Sequence, residues 1–137
     1  MKKVNYKCKI IGQIIFVIIF LSTSPAQSLD KFNKAERVSD YFSGLLLLNE
    51  NQYEKSLRYF NKLNGLETSH NDFSIKYLYS LVNSGNLKKA YNYSKKLEKQ
   101  KLDSYESQLI LGIYYLKNSN INLARKYFLR SANKNSG

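Results

Sequence analysis

The chain has 137 residues, 43% of them hydrophobic and 23% charged, with one Cys, one Pro and a formal net charge of +12. That length holds one domain at most. Cys8 lies so near the start that a chain processed beyond it has no disulfide, no thiolate metal site and no cysteine nucleophile. All ten acids fall beyond residue 28, whereas Lys2, Lys3, Lys7 and Lys9 precede it, so the balance past that point is +8. A basic balance raises the question of nucleic acid or an anionic surface. The abundance of Lys, Asn, Ile, Tyr and Phe beside scarce Ala has a plainer reading, since an A/T-rich coding sequence produces it without selection on charge.

The four leader lysines are followed by an apolar run, Ile10 to Leu21, and then by the small and polar string Ser22 to Ser28. That order is the pattern of a secretory signal peptide, residues 1–28. Cleavage after Ala26 or after Ser28 satisfies the small-x-small rule. The rival is a retained inner-membrane anchor over residues 10–21. Twelve residues at ~1.5 Å rise cover roughly 18 Å of a ~30 Å hydrocarbon core, which favours the cleaved signal. The cysteine stands before the apolar run, so it is misplaced for lipidation.

Residues 29–36 read as a lead, with Asn33 and Glu36 spaced as a capping box for a first helix that runs to Asn49. Val38, Tyr41, Phe42, Leu45, Leu46 and Leu48 give that helix an apolar surface too wide to be covered on one side. A turn at Asn49 to Gln52 precedes a helix from Tyr53 to Leu63, which Asn64 and Gly65 end. Leu66 to Asn71 is a connector, with Ser69 and Asp72 as a second capping box. Helices over Asn71 to Asn83 and Leu87 to Gln100 follow, joined at Ser84-Gly85-Asn86. A third pair begins near Asp103, with Glu106 spaced for a cap, runs to Lys117, turns at Asn118-Ser119-Asn120 and continues from Ile121 to Asn133. No strand pattern interrupts this, so the class is all-α.

The helix pairs superpose at a period of 34 residues, as 37–70, 71–104 and 105–137. Ser56, Ala90 and Ala124 are small in register; Tyr59, Tyr93 and Tyr127 are identical; Asn51, Gly85 and Ser119 are turn formers. A period of that length marks a helix-turn-helix repeat array. Three units is about the minimum for stability, and nothing beyond the last pair caps its apolar face. Either the chain belongs to a longer array or that open end is a docking face.

These units resemble tetratricopeptide repeats, over residues 37–137. The family's small residue at the eighth position is matched by Gly44 and Gly112 but not Leu78. Its small residue at the twentieth is matched by Ser56, Ala90 and Ala124, and its aromatic at the twenty-fourth by Phe60 and Phe128 but not Ser94. The opening tryptophan and linker proline are missing, with Asp40 and Thr68 in their places. The resemblance implies an α-solenoid, and with the leader it suggests the N-terminal part of a bacterial envelope protein, in the periplasm or cell envelope.

In such arrays the first helix of each unit lines a concave groove. Those positions fall here on Val38, Tyr41, Leu45, Leu48 and Asn49; on Asp72, Ile75, Tyr79, Val82 and Asn83; and on Glu106, Leu109, Ile113, Leu116 and Lys117. Tyr41 and Leu45 stand where a carboxylate clamp carries a lysine and an asparagine, which speaks against a clamp. The groove suits an amphipathic helix or an extended apolar segment, with Asn49 and Asn83 able to bond its backbone. Coverage by the chain's own later coils or by its lead is the competing account.

The cluster Lys88, Lys89, Lys95, Lys96, Lys99 and Lys101 has only Glu98 beside it. It reads as a solvated outer face, with contact to anionic lipid or polymer as the alternative function and peripheral membrane contact as a consequence. Tyr91 and Tyr93 interleave it as in a nucleic-acid patch, but their register matches Leu57 and Tyr59 and assigns them to packing, so no nucleic-acid partner is expected. Ser69, His70 and Asp72 are of suitable types for nucleophilic catalysis, yet neighbours on one connector rarely converge. Glu50 and Glu54 beside Lys55 and Arg58 suit surface pairs. No phosphate loop and no metal-ligand spacing appears, so no cofactor, metal or enzymatic role is expected. The expected function is an exported scaffold that binds a protein or peptide, with self-association through the third unit as a further expectation.

Overall fold

The computed structural model of the chain describes residues 26–134. Among these residues all regular structure is helical: α1 (Ala26–Asn49), α2 (Tyr53–Phe60), α3 (Asn71–Asn83), α4 (Leu87–Gln100), α5 (Tyr105–Lys117) and α6 (Ile121–Lys134). Two 3-10 turns, Asn61–Leu63 and Leu66–Thr68, lie between α2 and α3. The chain divides into two units, Met1–Glu36 and Arg37–Gly137. The lysines and apolar run expected to form the leader lie outside the described residues. Of the first unit, residues 26–36 are described and are helical. The expected lead at 29–36 is therefore helix, and Asn33 and Glu36 are interior helical positions rather than a cap. Nothing between Ala26 and Glu36 is a helix breaker, so the helical pattern of residues 37–49 continues back through them.

In the second unit each helix packs on the next in chain order from α2 to α6, and α3 also meets α5. Two clusters fill the interior. Leu48, Phe60, Leu63 and Phe73 form one, and Leu57, Leu78, Leu81, Ala90, Leu97 and Ile110 form the other. The close crossings depend on absent side chains. A Cβ on Gly44 would lie 2.4 Å from the Phe60 ring, and one on Gly112 would lie 2.5 Å from the Phe128 ring. Ser56 adds a tie at the first crossing, its hydroxyl donating to the Gly44 carbonyl at 2.9 Å. Ala90 and Ala124, in register with Ser56, are buried. The middle pair departs from glycine and phenylalanine in a compensated way. Leu78 and Ser94 are both buried, so bulk stands on the first helix and the small residue on the second. Conserving summed volume is the least costly way to change a packed contact.

The three tight turns share one geometry. Asn51, Gly85 and Ser119 all adopt positive φ, at 59°, 76° and 59°. The amides of Gln52, Asn86 and Asn120 donate to the carbonyls of Leu47, Leu81 and Tyr115 at 2.8, 2.8 and 2.9 Å. The amides of Asn51, Gly85 and Ser119 close the shorter bonds to Leu48, Val82 and Leu116. These are Schellman ends, which favour glycine at the left-handed position. Ser119 adopts that conformation against the clash between its Cβ and the backbone. Ser119→Gly is expected to stabilise the chain by about 0.5–1 kcal/mol, raising the thermal midpoint by a few degrees. Asn51→Gly should gain less, because asparagine tolerates the region better and Asn51 Oδ1 accepts the Tyr53 hydroxyl at 2.7 Å.

Two caps differ from expectation. The residue before α3 is His70, without a side-chain cap, while the Ser69 hydroxyl turns back to the Leu66 carbonyl at 3.3 Å. The 3-10 turn over Leu66–Thr68 shifts Ser69 out of capping position. At α5 the capping box is Ser104 with Ser107, one residue beyond the expected Asp103 and Glu106. Asp103 instead accepts Gln108 Nε2 and Lys134 Nζ, both at 2.9 Å.

Candidate partner-binding groove

The first helix of each pair, α1, α3 and α5, carries the groove positions at helical spacing. On α3 and α5 they leave a row of apolar side chains in solvent: Tyr79 is 53% exposed, Val82 42%, Ile113 41% and Leu116 50%. Val38 on α1 is 50% exposed. Ile75 and Leu109 are half-buried beneath this row, and Asn49 and Asn83 stand exposed at its polar end. An adjoining hollow of about 440 Å³ is lined by Asn51, Gln52, Tyr53, Glu54, Lys55, Asn83 and Ser84.

The α1 contribution differs from the expected one. Leu48 is buried among Phe60, Leu63 and Phe73, so it belongs to the core and not to a binding face. Leu45 packs against the same cluster. Tyr41 is half-buried in an aromatic group, its ring centroid 6.3 Å from Phe60, 6.4 Å from Phe73 and 5.1 Å from His70. Burial, helped by the Asp72 charge, raises its phenol pKa. The reason is geometric: the 3-10 connector folds His70 and the start of α3 against this side of α1. Asn83 is also partly committed, its side-chain amide donating to the Tyr79 carbonyl at 2.9 Å. Ser69 and His70, facing Leu66 and Tyr41, are accounted for by local packing.

The lysine cluster is divided. Lys88, Lys89, Lys99 and Lys101 are exposed as expected, but Lys95 and Lys96 are held by acids, which corrects their reading as solvated charge. Lys96 Nζ lies 2.5 Å from Glu67 Oε1, and the Glu67 side chain is only 1% exposed. The ammonium thus pairs with Oε1, while Glu67 Oε2 accepts the Gly65 amide at 3.0 Å. Burial works to raise the Glu67 pKa, but the Lys96 ammonium and the amides of Glu67 and Gly65 outweigh it and the pKa is lowered. Lys96 also reaches Asn64 Oδ1 at 2.9 Å.

Glu98 organises the next junction. It pairs with Lys95 on its own helix, accepts the Tyr127 hydroxyl at 3.2 Å and meets Arg130 at 2.8 Å. Burial opposes these donors, yet its pKa is lowered, as is that of Asp103, where Lys134 and Gln108 overcome burial. The Glu98 carboxylate raises the Lys95 pKa. The register explains the identical tyrosines, since a cation three residues on lies over each ring. Lys62 is 5.3 Å from the Tyr59 centroid, Lys96 5.8 Å from Tyr93 and Arg130 5.5 Å from Tyr127. Burial pushes Tyr93 up to about 12, against the Ser74 hydrogen bond.

Sequence reasoning missed Glu67, which reads as a polar connector residue. Its partner Lys96 stands about thirty residues further along the chain, so no local spacing links the two. Among the described residues no cluster of His, Cys, Asp or Glu suits a metal ion, and no helix is long and apolar enough to cross a membrane. The groove is therefore defined by apolar exposure and side-chain register alone. Compared with known proteins, the chain matches no family model, no curated protein and no solved structure.

Proposed function

We propose that residues 37–137 are an α-solenoid of three tetratricopeptide-like repeats behind a signal peptide, exported to the periplasm or cell envelope. In this reading the chain is a non-enzymatic scaffold that binds an apolar or amphipathic segment along α3 and α5. The repeat reading is supported by three Schellman turns and three tyrosine-cation pairs recurring at intervals of 34 residues. The binding reading rests on one observation, the row Tyr79, Val82, Ile113 and Leu116 exposed on neighbouring helices. Contiguous exposed apolar side chains of this kind favour a partner. Each is about half exposed, so covering the remainder contributes roughly 1 kcal/mol per side chain, about half the value for full burial.

The test is fluorescence anisotropy with a labelled amphipathic peptide of leucine and serine, whose neutral polar face removes charge attraction. Val82→Asp and Ile113→Asp are each expected to weaken binding at least about tenfold, the size of a modest hot-spot loss. Lys88→Glu with Lys89→Glu should leave it unchanged, and so should raised salt, because burial is not screened. Binding lost with the lysines and kept with Ile113→Asp would favour the anionic-surface reading. That alternative has fewer cations to draw on, since Lys95 and Lys96 face Glu98 and Glu67.

A further inference from the structure

Asn64 is the one asparagine of the chain that is followed by glycine. The two residues form the centre of a type II turn, Asn64 at φ −54°, ψ 132° and Gly65 at φ 91°, ψ −9°, and glycine takes the second place there without strain. Both are exposed, so water reaches the turn. Two charged side chains converge on it. Glu67 Oε2 accepts the Gly65 amide at 3.0 Å, and Lys96 Nζ, arriving from α4, donates to Asn64 Oδ1 at 2.9 Å. The same ammonium pairs with Glu67 Oε1, so a proton acceptor, a cation and a side-chain amide stand in one cluster.

We infer that this cluster promotes the conversion of Asn64 to aspartate and isoaspartate, a self-modification at the junction of the first two helix pairs. The attacking atom is the Gly65 nitrogen and its target is Asn64 Cγ. Glu67 takes the Gly65 proton as the N–Cγ bond forms, and Lys96 stabilises the negative charge that develops on Oδ1. Without a Cβ, Gly65 lets the Asn64–Gly65 peptide plane turn as the ring closes.

The Cγ–Nδ2 bond then breaks, the proton held by Glu67 passes to the leaving nitrogen, and ammonia departs. A five-membered imide remains, and water opens it at either carbonyl to leave aspartate or isoaspartate at position 64. One water is consumed and one ammonia released, with no oxidant or reductant. The product sets a second carboxylate beside Glu67, and Lys96 then faces both. Isoaspartate also adds a methylene to the backbone of the turn. Both changes loosen the tie between the 3-10 connector and α4, and they accumulate with the age of the molecule. The reaction does not depend on what occupies the groove.

Incubation of the full chain at neutral pH checks this, with peptide mapping by mass spectrometry to locate the amide-to-acid conversion and isoaspartyl methyltransferase labelling to detect isoaspartate. The reference is the same chain unfolded in urea, where the Asn-Gly pair persists but Lys96 is no longer near it. The folded chain should convert Asn64 about tenfold faster than the unfolded one. That is less than the ~10²–10⁴-fold typical of a positioned acid or base, because a carboxylate is a weak base toward an amide. Lys96→Met should slow the folded rate at least about fivefold and leave the rate in urea unchanged, while Lys96→Arg, which keeps a cation there, restores most of it. Circular dichroism verifies that each variant is folded. A folded chain that converts Asn64 no faster than in urea would overturn the inference. So would Lys96→Met converting as fast as the unaltered chain or faster, since the contacts would then only hold the turn still.

Discussion

Gly44→Ala is expected to destabilise the chain by about 2–3 kcal/mol, the upper part of the range for overpacking a filled core. The added Cβ would stand 2.4 Å and 2.6 Å from two carbons of the Phe60 ring. Real carbon contacts do not approach so closely, so either ring or helix must move. Phe60 has nowhere to go, being 1% exposed and in edge-to-face contact with Phe73 at 5.7 Å and Tyr77 at 6.5 Å. Displacing α1 instead would stretch the 2.9 Å bond from Ser56 to the Gly44 carbonyl. Gly112→Ala meets a similar clash, 2.5 Å from Phe128, but that ring is only partly buried and can swing toward solvent. The expected cost there is about half as large, with the helix itself gaining a little from alanine. Urea unfolding of both variants checks the order. Equal losses would mean that the two crossings are packed alike, contrary to the different burial of their rings.

The second large effect concerns the buried carboxylate. Lys96→Met is expected to cost about 2 kcal/mol at neutral pH. Removing one partner of a buried ion pair typically costs ~3–5 kcal/mol. Lys96 is itself 37% exposed, so solvent screening reduces that figure here. Methionine keeps most of the stem, and the loss is chiefly that of the charge facing Glu67. The pH dependence distinguishes this from lost packing. The folded pKa of Glu67 is lowered from 4.5, so its contribution is present above pH 4.5 and lost as pH falls through the folded value. In Lys96→Met burial acts without the ammonium, which moves the Glu67 pKa upward. Acid then protonates a carboxyl that no longer has a counter-ion and relieves the penalty. The gap between the two proteins should therefore narrow as pH falls below 4.5. A residue of it will remain from the lost contacts with Asn64 and Tyr93. Glu98 and Asp103 weaken in acid in both proteins alike and cancel in the difference. A gap that stays constant through the carboxylate range would show that Lys96 acts only by packing.

Turns, small-residue positions and the ends of α3 and α4 were legible in the sequence because each depends on a few neighbouring residues repeated at a fixed interval. Helices α3 and α4 begin and end where their patterns do, and the turn formers Asn51, Gly85 and Ser119 adopt the same left-handed geometry. The close crossings were legible too, since Gly44 and Gly112 stand opposite Phe60 and Phe128 at one spacing. Legibility failed where burial is imposed from a distance. Leu48 has the spacing of a groove residue, but Phe73, arriving from α3, encloses it in the core. Lys95 and Lys96 have the spacing of a solvated face, but Glu67 and Tyr127, each about thirty residues away in the chain, convert them into ties between successive helix pairs. Periodicity reports which side of a helix a residue occupies. The charge and bulk that later arrive on that side are set by the packing of helix upon helix, and only the tertiary structure supplies them.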